Sequence, residues 1–209
     1  MIIDLSVNVT REMIEEAKGF VSKDRILSEL DLFGHLGTHF DIMGGTFDMN
    51  NLECAGRVFD VGAINGKEIG LTDADLNNVN KGDFVMFHTG TIREKRYGTK
   101  DYIISQPELS WELIKTLTDI GVSMIGIDAG GLRLPADHAK VDKYCADRNV
   151  FVVENLYNLD TLLDAVGRGS FNVGTYPMNL SGATGLPCRI IARLSVESCF
   201  VTASPRARH

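Results

Sequence analysis

The chain is poor in cysteine, with four in 209 residues, and Cys54, Cys145, Cys188 and Cys199 form no C-x-x-C pair. That spacing excludes a zinc knuckle and a dithiol redox motif, and reads as buried thiols of a reducing, cytoplasmic compartment. No stretch approaches the run of about 18 apolar residues that a membrane helix needs, and the opening residues Met1 to Ser6 carry no basic segment. Positive charge is also scarce. Lys and Arg total 21 against 28 Asp and Glu, a formal charge of -7, so no net field draws the chain to nucleic acid or an anionic membrane. The partner to expect is a small molecule. Linkers, charge blocks and fixed-period repeats are missing too, so residues 1–209 read as one domain, with 44% hydrophobic and 23% charged residues giving the balance of a globular protein.

What is present is a series of short β-rich runs: Met1 to Leu5, Arg57 to Val61, Asp83 to Phe87, Ser123 to Ile127, Val150 to Val153 and Arg189 to Leu194. Several are continuously apolar, the mark of strands covered on both faces. Between them, Trp111, Leu113, Ile114, Leu117 and Ile120 recur at helical spacing, with Ser110 placed to cap the start and Gly121 to end the helix. Thr10 to Val21, Pro135 to Arg148 and Leu159 to Val166 are further helix candidates. Strands and helices mix without strict alternation, so the expected class is α/β, a mixed β-rich sheet with flanking helices.

Histidine is scarce, five in all, yet two fall in Gly34-His35-Leu36-Gly37-Thr38-His39-Phe40-Asp41. Two glycines argue against a helix here. An extended chain of period two would aim His35, Gly37, His39 and Asp41 to one side and Leu36, Thr38 and Phe40 into the core. Two imidazoles and a carboxylate around an open glycine suit a divalent cation, with a position left for water. The plainer alternative is a pair of histidines bonding backbone at a strand corner.

The same residues resemble the signature H-x-G-[TA]-H-x-D-x-P-x-H of the cyclase-type metal-dependent hydrolases, a family that includes bacterial kynurenine formamidase and isatin hydrolase. The resemblance runs along nearly the whole chain: Ile3 to Ser6, Phe87 to Gly90, Gly121 to Asp128, Val152 to Asp160 and Gly182 to Arg189 are each similar to a family segment. It implies the family's swivelling β/β/α fold and hydrolysis of an amide or lactam by metal-activated water. It also implies a homo-oligomer, dimer or tetramer, and one or two Zn or Mn ions held by His35, His39, Asp41 and Glu154. Asp41 and Glu154 would bridge to a second ion.

Two departures stand out. Met43 and Gly45 occupy the places of the motif's Pro and last His, and that His is the family's general acid/base. Proton transfer by such a group contributes about 10²- to 10⁴-fold. Asp48 and His88 are the candidates to replace it, although Asp48 also fits a loop turn and His88 a ring bonded to a neighbouring strand. Second, the family's further metal-binding His, twelve residues before its Glu, is Asp142 here, while His138 lies one helical turn earlier. Either can complete a second position, or both can belong to a surface helix. The expected activity is therefore arylformamidase-like hydrolysis, as in tryptophan catabolism. The alternative is a family member that binds metal or ligand but has lost turnover.

Overall fold

The computed structural model describes residues 1–10, 12, 29–64, 68–166 and 171–194; the helix expected over Thr10 to Val21, Cys199 and the tail from Ser204 lie outside these residues. Among the described residues there are ten strands: β1 Ile2–Asp4, β2 His39–Asp41, β3 Glu53–Asp60, β4 Glu68–Ile69, β5 Phe84–His88, β6 Glu108–Leu109, β7 Met124–Ile127, β8 Phe151–Glu154, β9 Phe171–Pro177 and β10 Gly185–Arg193. Helices α1 Glu29–Gly34, α2 Thr91–Glu94, α3 Lys100–Ile104, α4 Trp111–Ile120, α5 His138–Ala146 and α6 Leu159–Val166 join them.

The main sheet runs β1-β10-β2-β8-β7-β5-β3-β9, and β9 pairs back onto β10, so the strands close on themselves like a barrel. β3, β5, β7 and β8 are parallel neighbours; β2 and β10 enter antiparallel. Closure hides the edges that an open sheet would expose, with β1 paired along β10.

Strand alternation divides the core in two. Phe40, Phe84, Met86, Met124, Phe151 and Val153 point inward and pack with Phe171, Val173 and Ile190. Val85, Phe87, Ile125, Ile127 and Val152 point outward, where Leu113, Ile114 and Leu117 of α4 and Val141 and Cys145 of α5 cover them. β5, β7 and β8 are covered on both faces, which is why they read as unbroken apolar runs.

Helix α4 has the predicted ends. The Ser110 hydroxyl accepts from the Leu113 N–H at 3.1 Å, and Gly121 terminates the helix in the left-handed conformation at φ +80°. Ser110→Ala should cost about 1 kcal/mol, the usual loss of a hydroxyl cap, read as a lower urea midpoint with an unchanged slope.

Among the described residues the thiols of Cys54, Cys145 and Cys188 are unpaired, with Cys145 buried but Cys54 and Cys188 only partly so, which corrects the expectation of uniformly buried cysteines. Burial pushes Cys54 and Cys145 up to about 12, so neither offers a thiolate near neutral pH.

Candidate metal centre

The histidine segment is not one extended strand. His35 follows the end of α1, Gly37 is left-handed at φ +71°, and only His39–Asp41 forms β2. The chain turns back on itself. His39 and Asp41 still share the outer face of β2 by period two, while the turn brings the His35 ring over them from the side. The expected grouping therefore arises by a different geometry: His35 Nε2 lies 3.2 Å and His39 Nε2 3.6 Å from Asp41 Oδ1.

β8 supplies the next member. His39 pairs in register with Glu154, and its Nε2 stands 3.4 Å from Glu154 Oε2. Helix α5 crosses above. His138 and Asp142, one turn apart, both face inward, with His138 Nε2 3.2 Å from Asp142 Oδ2 and 3.3 Å from Glu154 Oε1. The structure thus brings both into the group. Asp142 is buried at 2% exposure, so a wholly solvated helix face is corrected. His35, His39 and Asp41 form one set, and Asp41, His138, Asp142 and Glu154 a second; in each set one ligand atom per residue lies within 4.8 Å of the others.

Electrostatics makes this group costly without a cation. Three carboxylates are buried together, and a buried charge needs a partner. His39 Nε2, Asp41 Oδ2, Asp142 Oδ1 and Glu154 Oε1 are buried with no hydrogen-bond partner. Burial and the charge of Asp41 push Asp142 up to about 9 and Glu154 well above the carboxylate range. Burial acts upward on Asp41 as well, but the neighbouring His39 and His35 outweigh it and hold that carboxyl low. Four orphaned polar atoms, drawn from imidazole and carboxylates, fit a divalent metal ion better than any hydrogen-bonding arrangement among themselves.

A buried network stands behind His39. Its Nδ1 is 3.0 Å from the Gly37 carbonyl, which only accepts, so Nδ1 carries the proton and Nε2 keeps its lone pair toward the carboxylates. Asn155 Nδ2 donates to the same carbonyl at 2.9 Å, the Tyr97 hydroxyl accepts from the Gly37 N–H at 2.7 Å, and the Tyr102 hydroxyl donates to Asn155 Oδ1 at 2.6 Å. Asn155 itself is left-handed at φ +57°. Asn155 lies in the family-like stretch Val152 to Asp160 beside Glu154, but nothing in the sequence spacing of Tyr97 and Tyr102 marks them.

The proposed acid/base substitutes are not brought to the group. Asp48 is exposed and accepts from the Asn50 N–H at 2.9 Å, capping the 3₁₀ turn Met49–Leu52, a loop role. His88 follows outward-facing Phe87 and so falls on the other face of the sheet from Glu154. Its Nδ1 meets Asp60 of neighbouring β3 at 3.0 Å. Its Nε2 lies 3.9 Å from Asp128, whose carboxylate accepts from the Thr89 and Gly90 N–H groups. Gly45 lines a separate cavity of about 710 Å³ with Ile42, Phe47, Leu180 and Leu186, on the inner side of β2. A Cβ on Gly45 would stand 2.9 Å from the Ile42 carbonyl oxygen, so a histidine there could not be accepted without moving the backbone.

Comparison with known proteins agrees with this picture. Residues 3–132 match the sequence model of the Cyclase family. No curated protein sequence matches the chain. Solved structures share the fold: one described as a potential metal-dependent hydrolase with cyclase activity has a TM-score of 0.68 at 22% identity, covering 92% of this chain and 96% of that one. Isatin hydrolase A from Labrenzia aggregata gives 0.67 at 16%, with 92% and 93% covered. Isatin hydrolase A from Ralstonia solanacearum gives 0.63 at 19%, with 76% and 72% covered.

Proposed function

Since this chain belongs to the cyclase family, we propose that it is a metal-dependent hydrolase that cleaves an amide-type C–N bond. The observation that carries the proposal is the set of four buried, partnerless atoms on His39, Asp41, Asp142 and Glu154. His35, His39 and Asp41 would hold one ion, and Asp41, His138, Asp142 and Glu154 a second, with Asp41 shared. A divalent cation bound there supplies Lewis acidity to a carbonyl oxygen and lowers the pKa of a water. The chain's own residues do the rest. Tyr97 and Asn155 fix the Gly37 peptide, that carbonyl fixes the His39 tautomer, and the His39–Glu154 pairing sets the width of the site. Three carboxylates mixed with three imidazoles supply more oxygen donors than an all-histidine zinc site and favour Mn²⁺ alongside Zn²⁺.

Within this reading the substrate is an aryl formamide, as in N-formylkynurenine, or a fused lactam such as isatin, which the similar structures named isatin hydrolase act on. Purified protein loaded with Mn²⁺ or Zn²⁺ and offered both substrates checks this. Turnover of either, abolished by chelation and restored by metal, is expected. Rates no higher than free metal on both would remove the hydrolase assignment.

A second reading has its own support. Gly45 offers no proton donor, and neither Asp48 nor His88 contacts the group. A protein that binds the cation and a carbonyl ligand without turning it over would look like this. Tight metal binding with no hydrolysis across amide, lactam and ester panels selects it.

A further inference from the structure

We infer that Gly131 is a positioning residue of the centre: its missing side chain is the space that lets His138 turn Nε2 onto Asp142 and Glu154. This rests on the metal-centre reading above. Gly131 has φ +133°, and a Cβ there would stand 2.5 Å from His138 Nδ1, 2.7 Å from its Cε1 and 3.1 Å from the Arg133 carbonyl oxygen. The first two lie inside van der Waals contact, and they fall on the ring rather than on the backbone of a turn.

The ring is boxed on both sides. Nε2 faces the carboxylates at 3.2 and 3.3 Å, and Nδ1 and Cε1 face Gly131 beside the Arg133 carbonyl. To serve as a ligand through Nε2 the ring must carry its proton on Nδ1. Retreat by sliding the helix is closed off, because Val141, Asp142 and Cys145 anchor α5 in the outer core. A methyl at 131 therefore has one outlet, the half-open side of His138, whose side chain is 30% exposed. The ring would swing outward and leave Asp142 and Glu154 without it. Positive φ explains a glycine at 131 but does not explain this ring contact.

The test is a cycle of metal-free wild type, Gly131→Ala, His138→Ala and the double variant, each titrated calorimetrically with Mn²⁺. Gly131→Ala should weaken Mn²⁺ binding about 10- to 100-fold, the usual loss when the group that orients a ligand is disturbed. The double variant should bind no more weakly than His138→Ala alone, because the methyl acts through a ring already removed. Wild-type affinity in Gly131→Ala, or losses that multiply, would overturn the inference. If Gly131→Ala fails to fold, recovery of folding in the double variant supports the ring clash, and failure of both assigns the effect to backbone strain and overturns it.

Long-range ¹H–¹⁵N correlation of the imidazoles reads the ring without any ion. Wild type should show His138 protonated at Nδ1, and Gly131→Ala should lose that fixed tautomer. An unchanged tautomer overturns the inference. A displaced ring together with wild type that binds no Mn²⁺ leaves the inference standing and removes the metal reading.

Discussion

His39→Ala should leave the protein without its tightly bound divalent metal, and any hydrolysis should fall with it to the rate of free metal in solution. His39 is the imidazole of the centre that is almost fully buried, at 2% exposure, and a backbone carbonyl fixes its tautomer. It faces Asp41 on its own strand and Glu154 across the ladder, so it touches both ligand sets. Removing it takes away a donor and leaves two carboxylates facing each other across a gap, which is worse than deleting a peripheral ligand. Plasma mass spectrometry of wild type and variant, purified in parallel from metal-supplemented medium, reads the outcome. Near-stoichiometric Mn or Zn in wild type and background in His39→Ala is expected. Equal metal in both would show that the centre lies elsewhere. Tyr102→Phe offers the graded comparison, since it removes one hydrogen bond of the network behind His39 and keeps every donor to the ion.

Chelation should have the second largest effect, on stability rather than rate. A cation that binds the folded centre and not the unfolded chain adds about 2.7 kcal/mol at a free concentration 100 times Kd and about 4.1 at 1,000 times. For a chain of this size each kcal/mol moves Tm by roughly 2–4 °C, so excess chelator should lower the midpoint on the order of 10 °C. The physical source is visible in the fold. Asp41, Asp142 and Glu154 converge in a space closed by α5 above and the sheet below, and without a cation they meet mainly one another and the imidazoles. Asp142→Asn keeps the shape and removes the carboxyl that burial and Asp41 push up to about 9, so the metal-free protein no longer has to take up a proton there on folding. The substitution should raise the Tm of the metal-free protein, lower that of the metal-loaded protein, and so narrow the gap between them. Scanning calorimetry with and without chelator reads all four values; a wild-type midpoint indifferent to chelator would speak against a structural cation.

The two largest effects converge on residues of unequal legibility. His35, His39 and Asp41 lie within seven positions of one another, and their resemblance to a family motif needs no fold to be seen. Glu154 is the first charged residue after an apolar run, which marks a strand end. Asp142 and His138 were visible as alternatives, but sequence had no means of choosing, because burial of a helix face depends on what lies beneath it. The sheet's outer face beneath α5 turns out to be the centre itself, and both residues enter it.

Local chemistry carries some elements almost to the residue. Helix α4 begins after Ser110 and ends at Gly121 as its caps require, and α6 spans Leu159–Val166 on an apolar stripe. β9 went unread, since Asn172, Gly174 and Pro177 interrupt its pattern, yet it is the strand that pairs with both β3 and β10 and closes the barrel. The extended reading of His35 to Asp41 failed for a related reason. Gly37 can take a positive φ that no periodicity announces, and it is held there by Tyr97 and Asn155, 60 and 118 residues away along the chain.

By itself, then, the sequence determined the donor types, the short spacing that keeps three of them together and the apolar runs that become two-sided strands, because these depend on neighbours along the chain. Only the tertiary structure decided which face of each strand the donors share. It set His88 and Gly45 apart from the centre and Asp142 and His138 inside it, and it admitted a histidine ring beside Gly131. Those outcomes depend on register, closure and the packing of α5 on the sheet, where the contacting residues are distant in sequence and only burial makes an unpaired charge costly.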